Sequence, residues 1–192
     1  MMKFYSLLGM LLLTADFLEI HAVPAMASAT VAAHKTQLSL PDFALRDSHN
    51  QVQHLSVLMQ DQVAIVNFVF TDCTTVCPLL NATMQQLQKQ LQERLGKTVV
   101  LISISLDPVN DTPDKLLDHA NRLGAGNHWH WLTGRPSDIN RLLQTFGIPV
   151  GGRREDHPPV ILVGHEPTQR WFRWVGIPSP EILINTVDQF HF

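Results

Sequence analysis

Several protein classes are excluded by what this chain of 192 residues lacks. It has two cysteines, too few for a small scaffold stapled by several disulfides. Charged residues make up 16% of it, and 14 Lys and Arg stand against 17 Asp and Glu, a net charge of −3. That balance offers no basic footprint for a nucleic-acid backbone, so no nucleic-acid partner is expected. One candidate hydrophobic stretch occurs, at the extreme N-terminus, which excludes a polytopic membrane protein. Core-forming residues are not lacking. Hydrophobic residues are 45% of the chain and are spread throughout, which excludes disorder as the main state. The length fits one domain.

Lys3 followed by the apolar stretch Phe4 to Leu13, and then Ala25-Met26-Ala27, reads as a signal peptide spanning residues 1–27. An uncleaved anchor is the alternative. Asp16 and Glu19 speak against it, because a spanning helix needs about 20 apolar residues and charges at its centre are costly. Export places the two cysteines in an oxidising space such as the periplasm, where they pair, bind metal or are actively kept reduced. An exported domain that keeps the N-terminal segment would be tethered to the inner membrane.

Residues 28–37 read as a linker and residues 38–192 as the folded domain. Phe43-Ala44-Leu45 and Val52 to Leu55 flank turn-forming residues Asp47 to Asn50, the pattern of a hairpin. Val63 to Phe70 and Val99 to Ile104 are near-continuous apolar runs, as in strands covered on both faces. Between them Leu80, Met84, Leu87, Leu91 and Leu95 form one helical stripe, ended by Gly96. Thr112-Pro113, Arg135-Pro136 and Ser179-Pro180 each put proline at a first helical position, where its missing N–H costs nothing. Trp129 to Leu132 is strand-like, and Val160 to Val163 with Trp171 to Trp174 reads as a closing antiparallel hairpin. The expected class is α/β: a thioredoxin-like fold with an N-terminal β-hairpin and a C-terminal antiparallel hairpin plus helix. Alternation alone also allows other α/β sandwiches. The four tryptophans read as core or hairpin packing.

Cys73 and Cys77, in Phe70-Thr71-Asp72-Cys73-Thr74-Thr75-Val76-Cys77-Pro78, sit where a buried strand turns into an amphipathic helix. Pro78 places Cys77 in the first helical turn and Cys73 in the loop before it. Thiols at a helix N-terminus are expected to have lowered pKa values. The spacing lets the sulfurs share one ion or one disulfide, with a purely structural disulfide as the bland alternative. Soft thiolates select Cu(I), and an imidazole completes a trigonal set. Of ten histidines, His157 stands apart. It closes a Gly- and charge-rich loop directly before a buried strand whose start lies beside the redox loop in a thioredoxin-like fold. His165, at the other end of that strand, is expected to be remote. Asp111 fits a helix-entry role, and Asp107 is a candidate supporting residue beside the site. Arg153 and Arg154 read as solvated charges, or alternatively as offsetting the charge of a Cu(I)–dithiolate site.

These motifs resemble the SCO/SenC family of copper-binding assembly factors for cytochrome c oxidase. The matching pieces are Phe-Thr-x-Cys-x3-Cys-Pro at 70–78, Ser-x-Asp-Pro-x2-Asp-Thr-Pro at 105–113, Leu-Thr-Gly at 132–134, and Asp-His at 156–157. The resemblance implies a thioredoxin-like fold, copper held by Cys73, Cys77 and His157, and a copper-receiving client, the copper-site subunit of cytochrome c oxidase. Thr74 stands where many members have proline, and Pro158-Pro159 follow the histidine where many have Thr or Ser. One of these two prolines is a candidate for the cis-proline that thioredoxin-like folds place near active cysteines. The rival function is a thiol–disulfide oxidoreductase, with Cys73 and Cys77 as its redox pair and copper not obligatory. A thiol peroxidase is weaker, because the Pro-x3-Thr-x2-Cys frame is absent. A structural zinc site is a further alternative.

Overall fold

A computed structural model of the chain describes residues 32–151 and 153–191. The expected signal peptide lies outside the described residues. The strands are β1 (His34–Gln37), β2 (Ala44–Asp47), β3 (Val52–His54), β4 (Val63–Val69), β5 (Val99–Ser105), β6 (Trp129–Thr133), β7 (Val160–His165) and β8 (Arg170–Val175). The helices are α1 (Leu55–Leu58), α2 (Cys77–Gln90), α3 (Pro113–Arg122), α4 (Pro136–Thr145) and α5 (Pro180–Val187). All eight strands form one mixed sheet in the order β1-β8-β7-β4-β5-β6-β2-β3. Among the described residues no helix is long and apolar enough to cross a membrane.

The apolar runs become the sheet's centre, as their patterning requires. Every residue of β4 and β5 is buried, and the two strands pair in parallel. Alternate residues feed opposite faces. Ile65 and Leu101 join Leu80, Met84 and Leu87 of α2, Leu116 of α3 and Leu183 of α5. Val66 and Ile102 join Leu55 of α1 and Leu142 of α4 on the other side. The sheet is therefore covered by helices on both faces. All four tryptophans are buried. Pro113, Pro136 and Pro180 each open their helices, as expected.

The structure differs from the sequence reading in several places, and Leu55, read as the end of a hairpin strand, opens the short helix α1 instead. His34–Gln37, inside the segment read as a linker, is an edge strand pairing antiparallel with β8. Its side chains are mostly exposed, so it carries no apolar signal, and backbone hydrogen bonds hold it in place. Helix α2 ends at Gln90 rather than near Leu95; Leu91 to Arg94 continue as turns and Leu95 bridges Val99, just before Gly96, whose φ of 73° suits only glycine well. No cis peptide bond occurs among the described residues, so neither Pro158 nor Pro159 is the expected cis-proline.

Gly164 of β7 lies opposite Trp171 of β8. A Cβ there would stand 2.1 Å from the Trp171 ring, which is fully buried and has nowhere to retreat. Gly164→Ala is expected to cost about 1–3 kcal/mol through overpacking. The urea midpoint should fall at unchanged m-value, and an unmoved midpoint would show that the indole has room to shift.

Candidate metal and thiol site

Strand register brings three loops to one end of the sheet. Val69 pairs with Ser105, so the loops after β4 and after β5 leave side by side. Strand β7 runs antiparallel to β4, with Ile161 beside Asn67, so the segment entering β7 arrives at the same end. The first loop carries Cys73 and leads into Cys77 at the start of α2, the second carries Asp107 and Asp111, and the third His157. In open α/β sheets this end, beyond the carboxyl ends of the parallel strands, is where ligands collect.

Cys77 is the first residue of α2 and is buried, while Cys73 is half-buried in the loop. Val76, the residue capping α2, has no side-chain hydrogen bond to offer the helix. The Cys73 sulfur takes that place, accepting the Cys77 backbone N–H at 3.3 Å. Both cysteines are thiols in this structure. Burial pushes the Cys73 thiol up, but hydrogen bonds from the Cys77 side chain, the Cys77 backbone and Thr75 outweigh it and bring the pKa below its ordinary value. Cys77 behaves oppositely. Burial, its hydrogen bond to Cys73 and the charges of Cys73 and Asp111 push it up to about 12. The sequence expectation of two lowered thiols therefore holds for Cys73 and fails for Cys77. Its helical position favours a thiolate, but packing against the core removes the water that would stabilise the charge.

A buried polar network fastens the loops to one another. Asp111 is buried and accepts hydrogen bonds from the Thr71 hydroxyl at 2.6 Å, the Thr71 backbone N–H at 3.2 Å and the Ser105 hydroxyl at 2.6 Å. The Ser105 hydroxyl oxygen in turn accepts the Asp107 N–H at 2.9 Å. Asp107, also buried, accepts from the Asn110 side chain at 2.8 Å and forms an ion pair with Arg154, again at 2.8 Å. Two expectations are corrected here. Helix α3 is capped by the Thr112 hydroxyl, whereas Asp111 anchors the cysteine loop. Arg154 is ion-paired rather than simply solvated.

Cys73, Cys77, His157, Arg154, Pro158 and Leu106 are among the residues lining one cleft of about 10 Å³. That is about the room one water-sized guest needs. The mix of two sulfurs, an imidazole and apolar walls fits a soft cation. Among the described residues no three Cys, His, Asp or Glu side chains are already gathered tightly enough to hold an ion. The Cys73 sulfur is held on the Cys77 backbone N–H, and both cysteines and His157 stand in the wall of the same cleft. Asp107 reaches Arg154 and Asn110. His165 is buried at the far end of β7, about 17 Å of strand away from the cleft, and bonds Thr168. Sequence reasoning passed over the link from Asp111 to Thr71, and the only signal for it was an acidic residue near the end of an apolar strand.

Alkylation tests the thiol asymmetry. Iodoacetamide is expected to modify Cys73 first, with a midpoint in its pH–rate profile below the value of about 8.5 for a free thiol. Cys77 should stay unmodified at pH 8. Equal rates at the two cysteines would overturn the assignment.

The SCO1/SenC family model matches residues 31–167. Over 77 residues the chain is 39% identical to the SCO1 protein homolog of Bacillus subtilis, a match covering 40% of this chain and 39% of that protein. Over 121 residues it is 29% identical to a Stutzerimonas stutzeri protein whose name describes it as copper-binding, covering 63% of this chain and 58% of the relative. The chain thus spans less than two thirds of the length of these curated relatives. The solved structure of BsSco, described as a member of the Sco family of cytochrome c oxidase assembly proteins and as having a disulfide switch, matches with a TM-score of 0.68 at 26% identity. That match covers 81% of this chain and 95% of that one.

Proposed function

This chain belongs to the SCO1/SenC family, and on that premise we propose that it is a copper metallochaperone serving cytochrome c oxidase. Copper is its cargo, carried on the Cys73 and Cys77 sulfurs and the His157 imidazole. Its client is the copper-site subunit of the oxidase. The observation that carries this reading is the one small cleft that Cys73, Cys77 and His157 line together, with the Cys73 sulfur held on the Cys77 backbone N–H. Binding deprotonates the thiols, which couples affinity to pH. The raised Cys77 pKa means that copper must displace a tightly held proton, so affinity rises with pH through neutrality. A half-exposed Cys73 gives an incoming client thiol access for stepwise ligand exchange. Residues 1–27 would direct export to the periplasm or an equivalent oxidising space, with the domain working near the membrane that holds the oxidase.

A second reading rests on the split thiols. Thiol–disulfide exchange wants one reactive thiolate and one resolving thiol. Cys73, with its lowered pKa, would attack a client disulfide, and Cys77 would then displace the reduced client and leave a Cys73–Cys77 disulfide. The two roles are compatible in sequence, since client cysteines must be reduced before they take copper.

Competitive titration of the reduced protein with Cu(I) and Zn(II) tests the first reading. Copper is expected to win, and Cys73→Ala or Cys77→Ala should abolish tight binding. His157→Ala should weaken it by more than the roughly 10–100-fold that losing an outer partner of a ligand costs. Circular dichroism should stay unchanged. Equal copper affinity in His157→Ala would remove the histidine from the site. The second reading is tested by reduction of a client-derived disulfide peptide. Activity retained in His157→Ala favours thiol exchange without copper, and activity lost with that residue counts against it.

A further inference from the structure

We propose that Arg154 is a positioning residue, and that its ion pair with Asp107 is the latch holding the His157 turn against the cysteine cleft. The inference rests on the copper reading above only for its consequence, not for the latch itself. Arg154 opens a single 3-10 turn, Arg154–Asp156, and its carbonyl accepts the His157 backbone N–H at 3.2 Å. Arginine and histidine are therefore two ends of one hydrogen-bonded turn. The segment before it, from α4, passes through Gly147 and Gly151, whose φ values of 69° and 102° lie where only glycine sits easily. The segment after it is carried into β7 by Pro158 and Pro159. Between those limits, the Arg154 guanidinium on Asp107 is a side-chain link from this turn to the loop after β5.

The anchor at the other end is unusually firm. The Asp107 side chain is 6% exposed, whereas that of Arg154 is 42% exposed. Asn110 and the Ser105 hydroxyl hold Asp107 and its backbone from the other side. Ser105 bonds Asp111, and Asp111 bonds Thr71 at the entrance to the cysteine loop. A continuous path of hydrogen bonds thus runs from the loop that carries the sulfurs to the turn that carries the imidazole. Arg154 also lines the cleft itself. Removing its side chain would leave all three donor atoms intact and free the turn that aims one of them.

The test uses the reduced full chain and the variants Arg154→Ala, Arg154→Lys, His157→Ala and the Arg154→Ala/His157→Ala pair. Arg154 is half-exposed, so its loss should not unfold the protein, and truncating it leaves Asp107 bonded to Asn110. In metal-free protein, amide hydrogen exchange at His157 should speed up at least about tenfold in Arg154→Ala and recover in Arg154→Lys. Unchanged exchange would overturn the latch whether or not copper binds here. With Cu(I) against a chromophoric chelator, Arg154→Ala should lower affinity about 10-fold, the scale of partners that orient a metal ligand. In the His157→Ala background the same substitution should change affinity less than twofold. Equal losses in both backgrounds would show that Arg154 does not act through His157. If His157→Ala alone leaves copper affinity untouched, the copper reading of that residue fails, and the exchange measurement still decides the latch.

Discussion

Two buried carboxylates, Asp107 and Asp111, are the constraint on which the site depends. Burying a carboxylate away from water is costly unless hydrogen bonds replace its hydration. Here the replacements come from three different loops. Asp111 is satisfied by Thr71 and Ser105, and Asp107 by Asn110 and Arg154. Charged hydrogen bonds of this kind contribute about 1.5–3 kcal/mol each, and an acceptor left unpaired at these positions would cost a similar amount. Loops that would otherwise splay from the end of the sheet are thereby held in one arrangement.

That arrangement also sets the electrostatics of the thiols. Asp111 holds the cysteine loop at Thr71, and the loop then delivers Cys73 to the open N-terminus of α2. There a sulfur does the work usually given to a capping serine or aspartate. Cys77 is turned inward onto the core, with the Asp111 charge near enough to raise its pKa further. One bend thus produces one thiol disposed to ionise and one that resists it. Both cysteines line one small cleft at this end of the sheet, together with His157 and Arg154.

Much of the architecture was legible because it is locally encoded. The near-continuous apolar runs read at 63–70 and 99–104 are patterned as strands covered on both faces, and they become β4 and β5. Prolines 113, 136 and 180 announced helix starts through their fixed φ and missing N–H. Cys77 could be placed on the first turn of α2 for the same reason, from Pro78. The edge strand at 34–37 was not legible, because its order comes from backbone pairing with β8, which side-chain periodicity does not report.

The amino-acid sequence by itself determined the alternation of strands and helices and the residue types that could meet a soft ion. Each of these follows from local propensity, apolar period or motif spacing. Tertiary structure alone decided that Arg154 would reach Asp107, that Asp111 would grip Thr71, and that two cysteines on one bend would have opposite pKa shifts. Ion pairing and desolvation depend on which atoms meet and how much water is left around them. Those quantities exist only once distant segments have packed together.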